Sequence, residues 1–316
     1  VIQKRVKIHG GPKAVSRQLN DFLSSLKTPT RIMPYSTVRS VSLVIDYKEK
    51  DESWSTVFSD PLPLATCLPL QIFDAIRAMC NLRSLTLIID KLNERQESLF
   101  YGLLQNIKIQ AEYLQISASD RITRRVLENS PQLQALHLPE TIDITKFEPV
   151  VGRLRRLCAV VGPVKSSGRI QFPTINEVNL IRIASRYQNL EELVLHTVYE
   201  NYGDEDSAVM FAFEKNFAKA INVFRSMPGL KRLAINIDED TARTFGNTSV
   251  QEDRFYIDRL LRLATCLPRL VQIGITNDMD RYWTVTKTSY GELTIGRGAF
   301  SFQDVGFPES VNERFY

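Results

Sequence analysis

The residue types that carry chemistry occur in this chain, but they are not assembled into a reactive motif. The three histidines are His9, His137 and His196. None stands in a recognisable nucleophile motif with a Ser or Cys. His137 and His196 occupy comparable points near the ends of two strand-like phrases. A metal or acid–base role there would require a third partner at the same point of a neighbouring phrase, so both read as satisfied surface residues. Cys67, Cys80, Cys158 and Cys266 lie far apart, with no CxxC or His/Cys ligand spacing. That usage fits reduced cysteines in an intracellular, cytoplasmic or nuclear protein. Gly10-Gly11-Pro12 lacks the Lys and Ser/Thr of a phosphate cradle and reads as a turn. The chain is therefore expected not to be an enzyme and to use no cofactor or metal.

Binding chemistry is better represented. Three long polar stretches carry aromatic and acidic side chains together, the usual composition of an interface hot spot. The first holds Trp54 and Phe58 with Asp51 and Glu52, the second Tyr199, Tyr202, Asp204 and Asp206, and the third Asp278, Asp280, Tyr282 and Trp283. Acidic loops of this kind favour a basic protein partner. The alternative is that they are solvated loops whose aromatics tuck into the fold.

Those stretches are positioned by a repeated phrase. Eight times the chain reads apolar-x-x-apolar-x-apolar after a polar break. The clearest copies are Leu82-Arg-Ser-Leu85-Thr-Leu87, Leu133-Gln-Ala-Leu136-His-Leu138, Leu190-Glu-Glu-Leu193-Val-Leu195 and Leu230-Lys-Arg-Leu233-Ala-Ile235. Weaker copies begin at Val38, Ala111, Leu154 and Leu270. The last two apolar positions alternate with polar residues and so share one face of a strand. First positions fall at 38, 82, 111, 133, 154, 190, 230 and 270, giving gaps of 44, 29, 22, 21, 36, 40 and 40. A plain repeat of this type needs roughly 20 to 29 residues, so the longer gaps hold a full helix and a long loop. Apolar residues at helical spacing mark helices in Val15–Leu26, Asp120–Glu128, Ile175–Tyr187, Asp206–Met227 and Gln251–Leu267, several ending at Pro or Gly.

The expected fold is thus α/β: a leucine-rich-repeat-like β/α solenoid with a curved parallel sheet of about eight strands and helices on its convex side. One domain is expected over 1–316. Residues 1–45 lead into the repeats, and 282–316 form a capping hairpin, Tyr282 to Phe302, and a tail. An ordinary α/β domain with helices on both sheet faces is the alternative. Parallel strands bring the loops that leave them to one edge, where the aromatic and acidic residues collect. The inner face is expected to carry Ser42, Thr86, Gln115, His137, Cys158, Val194, Ala234 and Gly274. These are small and nearly uncharged, suited to a close-packed peptide or apolar partner, or present only for curvature or beneath the chain's own tail.

Composition bounds the rest. Of 316 residues, 43% are hydrophobic and 24% charged, ordinary values for a globular protein, and the net charge is +4. Arg153, Arg155 and Arg156 with Lys165 and Arg169 form the densest basic cluster. No aromatic residues interleave it, so it reads as a solvated turn and nucleic acid is disfavoured as a partner. No apolar run approaches membrane-span length, and no membrane partner is expected. The chain opens without Met or a signal-peptide pattern, so it is expected to be cut from something longer.

The phrases Tyr35-Ser-Thr-Val38-Arg39-Ser40-Val41-Ser42-Leu43, Cys80-Asn-Leu-Arg-Ser-Leu85-Thr-Leu87 and Met227-Pro-Gly-Leu-Lys-Arg-Leu233 give the chain a family likeness. They follow the strand-like Val6-Lys-Ile8 and the first helix. The whole resembles the degenerate leucine-rich-repeat region of fungal F-box proteins. That resemblance implies substrate recruitment for an F-box-type ubiquitin ligase. The F-box, which docks a Skp-type adaptor, is not found in this sequence, so an adaptor is expected only if an F-box lies upstream. The alternative is a leucine-rich-repeat protein outside the ligases: a scaffold, a GTPase regulator or a secreted effector, also binding a protein.

Overall fold

The computed structural model describes residues 4–27, 38–45, 63–89, 92–141, 152–161, 165–166, 169–170, 177–197, 206–237, 242–243, 245, 248–276, 281–288 and 290–299. The chain packs as two compact units, Val1–Leu136 and His137–Tyr316.

The first unit alternates strand and helix: β1 (Lys4–Gly10), α1 (Pro12–Lys27), β2 (Val38–Ile45), α2 (Pro63–Ala78), β3 (Ser84–Ile88), α3 (Glu94–Leu103), β4 (Tyr113–Ser117) and α4 (Asp120–Glu128). β5 (Ala135–Thr141) begins at its end. α1 and α2 each place Pro at the first helical position, where a missing N–H costs nothing. α3 opens with a capping box in which Asn93 and Gln96 satisfy each other's backbone N–H groups. The strands follow chain order and are parallel, β1 beside β2, β2 beside β3 and β3 beside β4. The helices pack side by side, α1 on α2, α2 on α3 and α3 on α4. Ser16 Oγ on α1 donates to Gln71 Oε1 on α2 at 2.8 Å, and Gln71 Nε2 donates to Asn20 Oδ1 at 2.7 Å.

The second unit continues with β6 (Arg156–Val161), the two-residue pair β7 (Lys165–Ser166) and β8 (Arg169–Ile170), α5 (Glu177–Arg186), β9 (Glu192–Thr197), α6 (Asp206–Arg225), β10 (Arg232–Asn236), α7 (Ser249–Cys266) and β11 (Gln272–Thr276). The antiparallel hairpin β12 (Arg281–Lys287) and β13 (Leu293–Ala299) closes it. β6, β9, β10 and β11 are parallel neighbours, and β12 pairs antiparallel with β11.

All eight repeated phrases form strands, β2 to β6 and β9 to β11. The mostly parallel sheet has eleven strands counted over both units, not about eight. The three additional strands are β1, which lacks the repeated phrase, and the two strands of the closing hairpin. The leucines meet in register: Leu85 opposite Leu114, and Leu193 between Leu157 and Leu233. Each is at most 1% exposed.

One backbone pattern recurs. The carbonyl of the second residue of a phrase accepts the N–H groups of the second and third residues of the next. Arg83 O takes Glu112 and Tyr113; Glu112 O takes Gln134 and Ala135; Arg155 O takes Glu191 and Glu192. Glu191 O takes Lys231 and Arg232, and Lys231 O takes Val271 and Gln272, over a range of 2.7 to 3.3 Å. The phrase also extends backwards. Leu82, Leu133, Leu190, Leu230 and Leu270 donate to the carbonyls of Met79, Ser130, Tyr187, Met227 and Leu267 at 3.1 to 3.4 Å. These five acceptor residues are themselves buried.

Candidate recognition surface

Trp54, Phe58, Tyr199, Tyr202, Asp204, Asp278 and Asp280 lie outside the described residues, and Asp206 is described only as the first residue of α6. Tyr282 is half-buried on β12. Trp283, expected on the loop edge, is 1% exposed. Alternation along β12 turns Trp283 and Val285 inward, and α7 packs on that strand. The indole stacks on Tyr256 with ring centroids 3.9 Å apart, and its Nε1 donates to Asp253 Oδ1 at 3.2 Å. The other Asp253 oxygen takes Arg297 of β13 at 2.5 Å. Trp283 therefore holds the closing hairpin to α7, and as an exposed partner anchor it is corrected.

The expected inner face is also out of solvent. Thr86 and Gln115 in the first unit, and His137, Cys158, Val194 and Ala234 in the second, are 1 to 4% exposed. Gly274 is buried and Ser42 half-buried. These strands are thus buried on both faces, as parallel strands commonly are. Thr86 Oγ1 donates to Gln115 Oε1 at 3.3 Å along this row. Burial pushes the Cys158 thiol well above its ordinary value, so it stays protonated and is no nucleophile at neutral pH. His137 is buried and is not a surface histidine. Cys67 and Cys80 are exposed. Among the described residues no group of three His, Cys, Asp or Glu is placed to hold a metal ion, and no helix is long and apolar enough to cross a membrane.

What the described residues do expose is the edge where the strands of the second unit begin. The second and third positions of three successive phrases are Arg155-Arg156, Glu191-Glu192 and Lys231-Arg232. The register that pairs the leucines also aligns these, forming two charge rows across β6, β9 and β10. In the outer row Arg155 Nη1 lies 2.5 Å and Lys231 Nζ 2.9 Å from the two oxygens of Glu191. In the inner row Arg156 Nε lies 3.6 Å and Arg232 Nη1 3.3 Å from Glu192. Hydrogen bonds from Lys231 and then Arg155 hold the Glu191 carboxyl below its ordinary range. Asn189 Nδ2 donates to Gly152 O at 2.7 Å and ties the adjoining turns together. Among the described residues of the first unit, a weaker counterpart is Arg83 Nε at 3.8 Å from Glu112.

The chain matches no protein-family model, and no curated protein matches it. The arrangement on this edge offers paired charges at strand spacing. In sequence alone Arg153, Arg155 and Arg156 read as a solvated turn. The missed signal was the charge alternation Arg-Arg, Glu-Glu, Lys-Arg at one position of successive phrases, which only matters once the phrases are in register.

Proposed function

We propose that this chain is a leucine-rich-repeat-like β/α solenoid acting as a protein-recognition domain, the substrate-binding arm of an F-box-type ubiquitin ligase, and not an enzyme. The observation that carries the reading is the repeated ladder. Within each unit the phrases pair in chain order and in matching register, β2 to β4 in the first and β6, β9, β10 and β11 in the second, so one position of successive phrases falls in a row. Right-handed crossovers between strands that advance one place at a time put the intervening helices of a unit on one side of it. Rows of side chains on a scaffold of this kind suit an extended protein contact. The partner is a protein, with a Skp-type adaptor recruited by an upstream F-box.

The test uses the full reading frame that contains this chain, with and without residues 1–316. Both forms should co-purify the adaptor, while only the complete form should shorten the half-life of its bound partner. Loss of adaptor binding in both forms would remove the ligase half of the proposal and leave protein recognition standing.

A further inference from the structure

The second unit concentrates positive charge on the edge where its strands begin. The turns and strand starts at 152–156, 187–192, 227–232 and 267–272 hold six cations, Arg153, Arg155, Arg156, Lys231, Arg232 and Arg269. They hold two carboxylates, Glu191 and Glu192, a net of four positive charges. The corresponding segments of the first unit, 38–40, 79–84, 108–113 and 130–135, hold Arg39, Arg83 and Lys108 against Glu112, a net of two. The second unit thus carries twice the excess of positive charge at its strand starts.

The cations are also spaced. Arg155 and Lys231 immediately precede β6 and β10, either side of Glu191, which takes one bond from each and draws the two heads toward each other. Two strand spacings put their backbones about 9.6 Å apart, the separation open to the side chains once a ligand displaces Glu191. Both keep more than half of the side chain in solvent, 59% for Arg155 and 61% for Lys231. Beside Lys231 in the next strand start, Val271 is 48% exposed. An extended chain in the polyproline II conformation repeats every three residues and rises about 9.3 Å over them, so carboxylates at positions i and i+3 lie on one side at nearly this distance.

We propose that the strand-start edge of the second unit is a docking site for an acidic protein segment, with two carboxylates three residues apart taken by Arg155 and Lys231 and an apolar side chain against Val271. This deepens the protein-recognition reading and rests on it. Glu191 holds both cationic heads in the free chain and competes with the ligand, which must displace it, so it sets the affinity. Nucleic acid fits less well, because Glu191 and Glu192 interrupt the cations with negative charge where a continuous phosphate backbone would lie.

The probe is a fluorescein-labelled dodecapeptide containing Asp-Pro-Ser-Asp followed by Leu two positions on, titrated with the complete chain and read by anisotropy at low salt. The comparison peptide has the same composition with its two Asp adjacent, and a twelve-nucleotide oligothymidine stands for nucleic acid. The spaced peptide should bind at least fivefold tighter than the adjacent one. Arg155→Gln and Lys231→Gln should each weaken it at least fivefold, Arg83→Gln should leave it unchanged, and Glu191→Gln should tighten it at least threefold. Arg155→Lys, which keeps the charge, should bind within threefold of the unaltered chain, and thermal melts confirm that each variant is folded. Equal binding of the two peptides, indifference to Arg155→Gln and Lys231→Gln, or oligothymidine binding tighter than the spaced peptide and lost in those variants would overturn the proposal. A chain that still captures a folded partner while ignoring both peptides loses this inference and keeps the recognition reading.

Discussion

Several side chains decide local structure by satisfying a neighbouring element, and their substitution separates packing from binding. Trp283 fills the space between β12 and α7, stacked on Tyr256 and bonded to Asp253. Trp283→Ala should lower stability by about 3–5 kcal/mol, the range for deleting a large buried aromatic, as read by urea unfolding. An unchanged unfolding midpoint would mean that the indole is not in the core. Lys287 Nζ, at the other end of β12, donates to the carbonyls of Ala264 at 3.0 Å, Leu267 at 3.4 Å and Pro268 at 2.9 Å. It closes the C-terminus of α7, where a cation also meets the negative end of the helix dipole. Burial holds its ammonium below the ordinary value. Lys287→Met should cost about 1–2 kcal/mol in the same assay. Glu191 gives a pH signature. Its folded carboxyl titrates below the ordinary value of 4.5, so its pairing stabilises the chain above that value and is lost as pH falls through the lower folded one. The acid limb of the stability curve, measured by denaturant unfolding below pH 4.5, should be shallower in Glu191→Gln than in the unaltered chain. Parallel limbs would show that the ion pair makes no difference to folding.

At the scale of elements the repeated phrase is the unit of design. Leu193 is fully buried between Leu157 and Leu233. Leu193→Ala should cost roughly 2–5 kcal/mol, because the cavity opens in a core shared by three strands. A thermal melt within error of the unaltered chain would contradict that placement. The turns are packed as closely as the strands. A Cβ on Gly229 would lie 3.0 Å from the carbonyl oxygen of Leu190 in the preceding turn. Gly229 thus lets one turn rest on the last. The strands were legible in sequence because period-two apolar residues recur in a fixed phrase, and so were five of the helices. α2 was not, since Pro63 and Pro69 and the polar run before it read as breaks while Leu68, Ile72, Phe73 and Ile76 supply its buried face. α3 is short and only Phe100 is fully buried along it, so its apolar period is faint. The surface was less legible than the fold. Trp283 looked exposed because it follows a polar loop, but strand alternation and α7 turn it inward. The charge rows were invisible because they depend on register between residues nearly forty positions apart.

Over the whole molecule, the order of elements explains why recognition can be written into a simple repeat. Each phrase adds one strand beside the last, so a substitution at one position changes one place in a row without disturbing the leucines behind it. In the first unit β1 carries Arg5 and Lys7, charges that discourage pairing with another chain, and in the second β12 and β13 fold back as a hairpin. The proposal that this scaffold exists to hold a protein is tested most directly by quantitative cross-linking in cells, comparing a complete form, the tagged chain of residues 1–316, with the tag alone. The account predicts a small set of proteins captured only by the complete form, through peptides of residues 1–316, and reconstituted as a complex from purified components. Identical capture by both forms, with no protein cross-linked to residues 1–316, would contradict it.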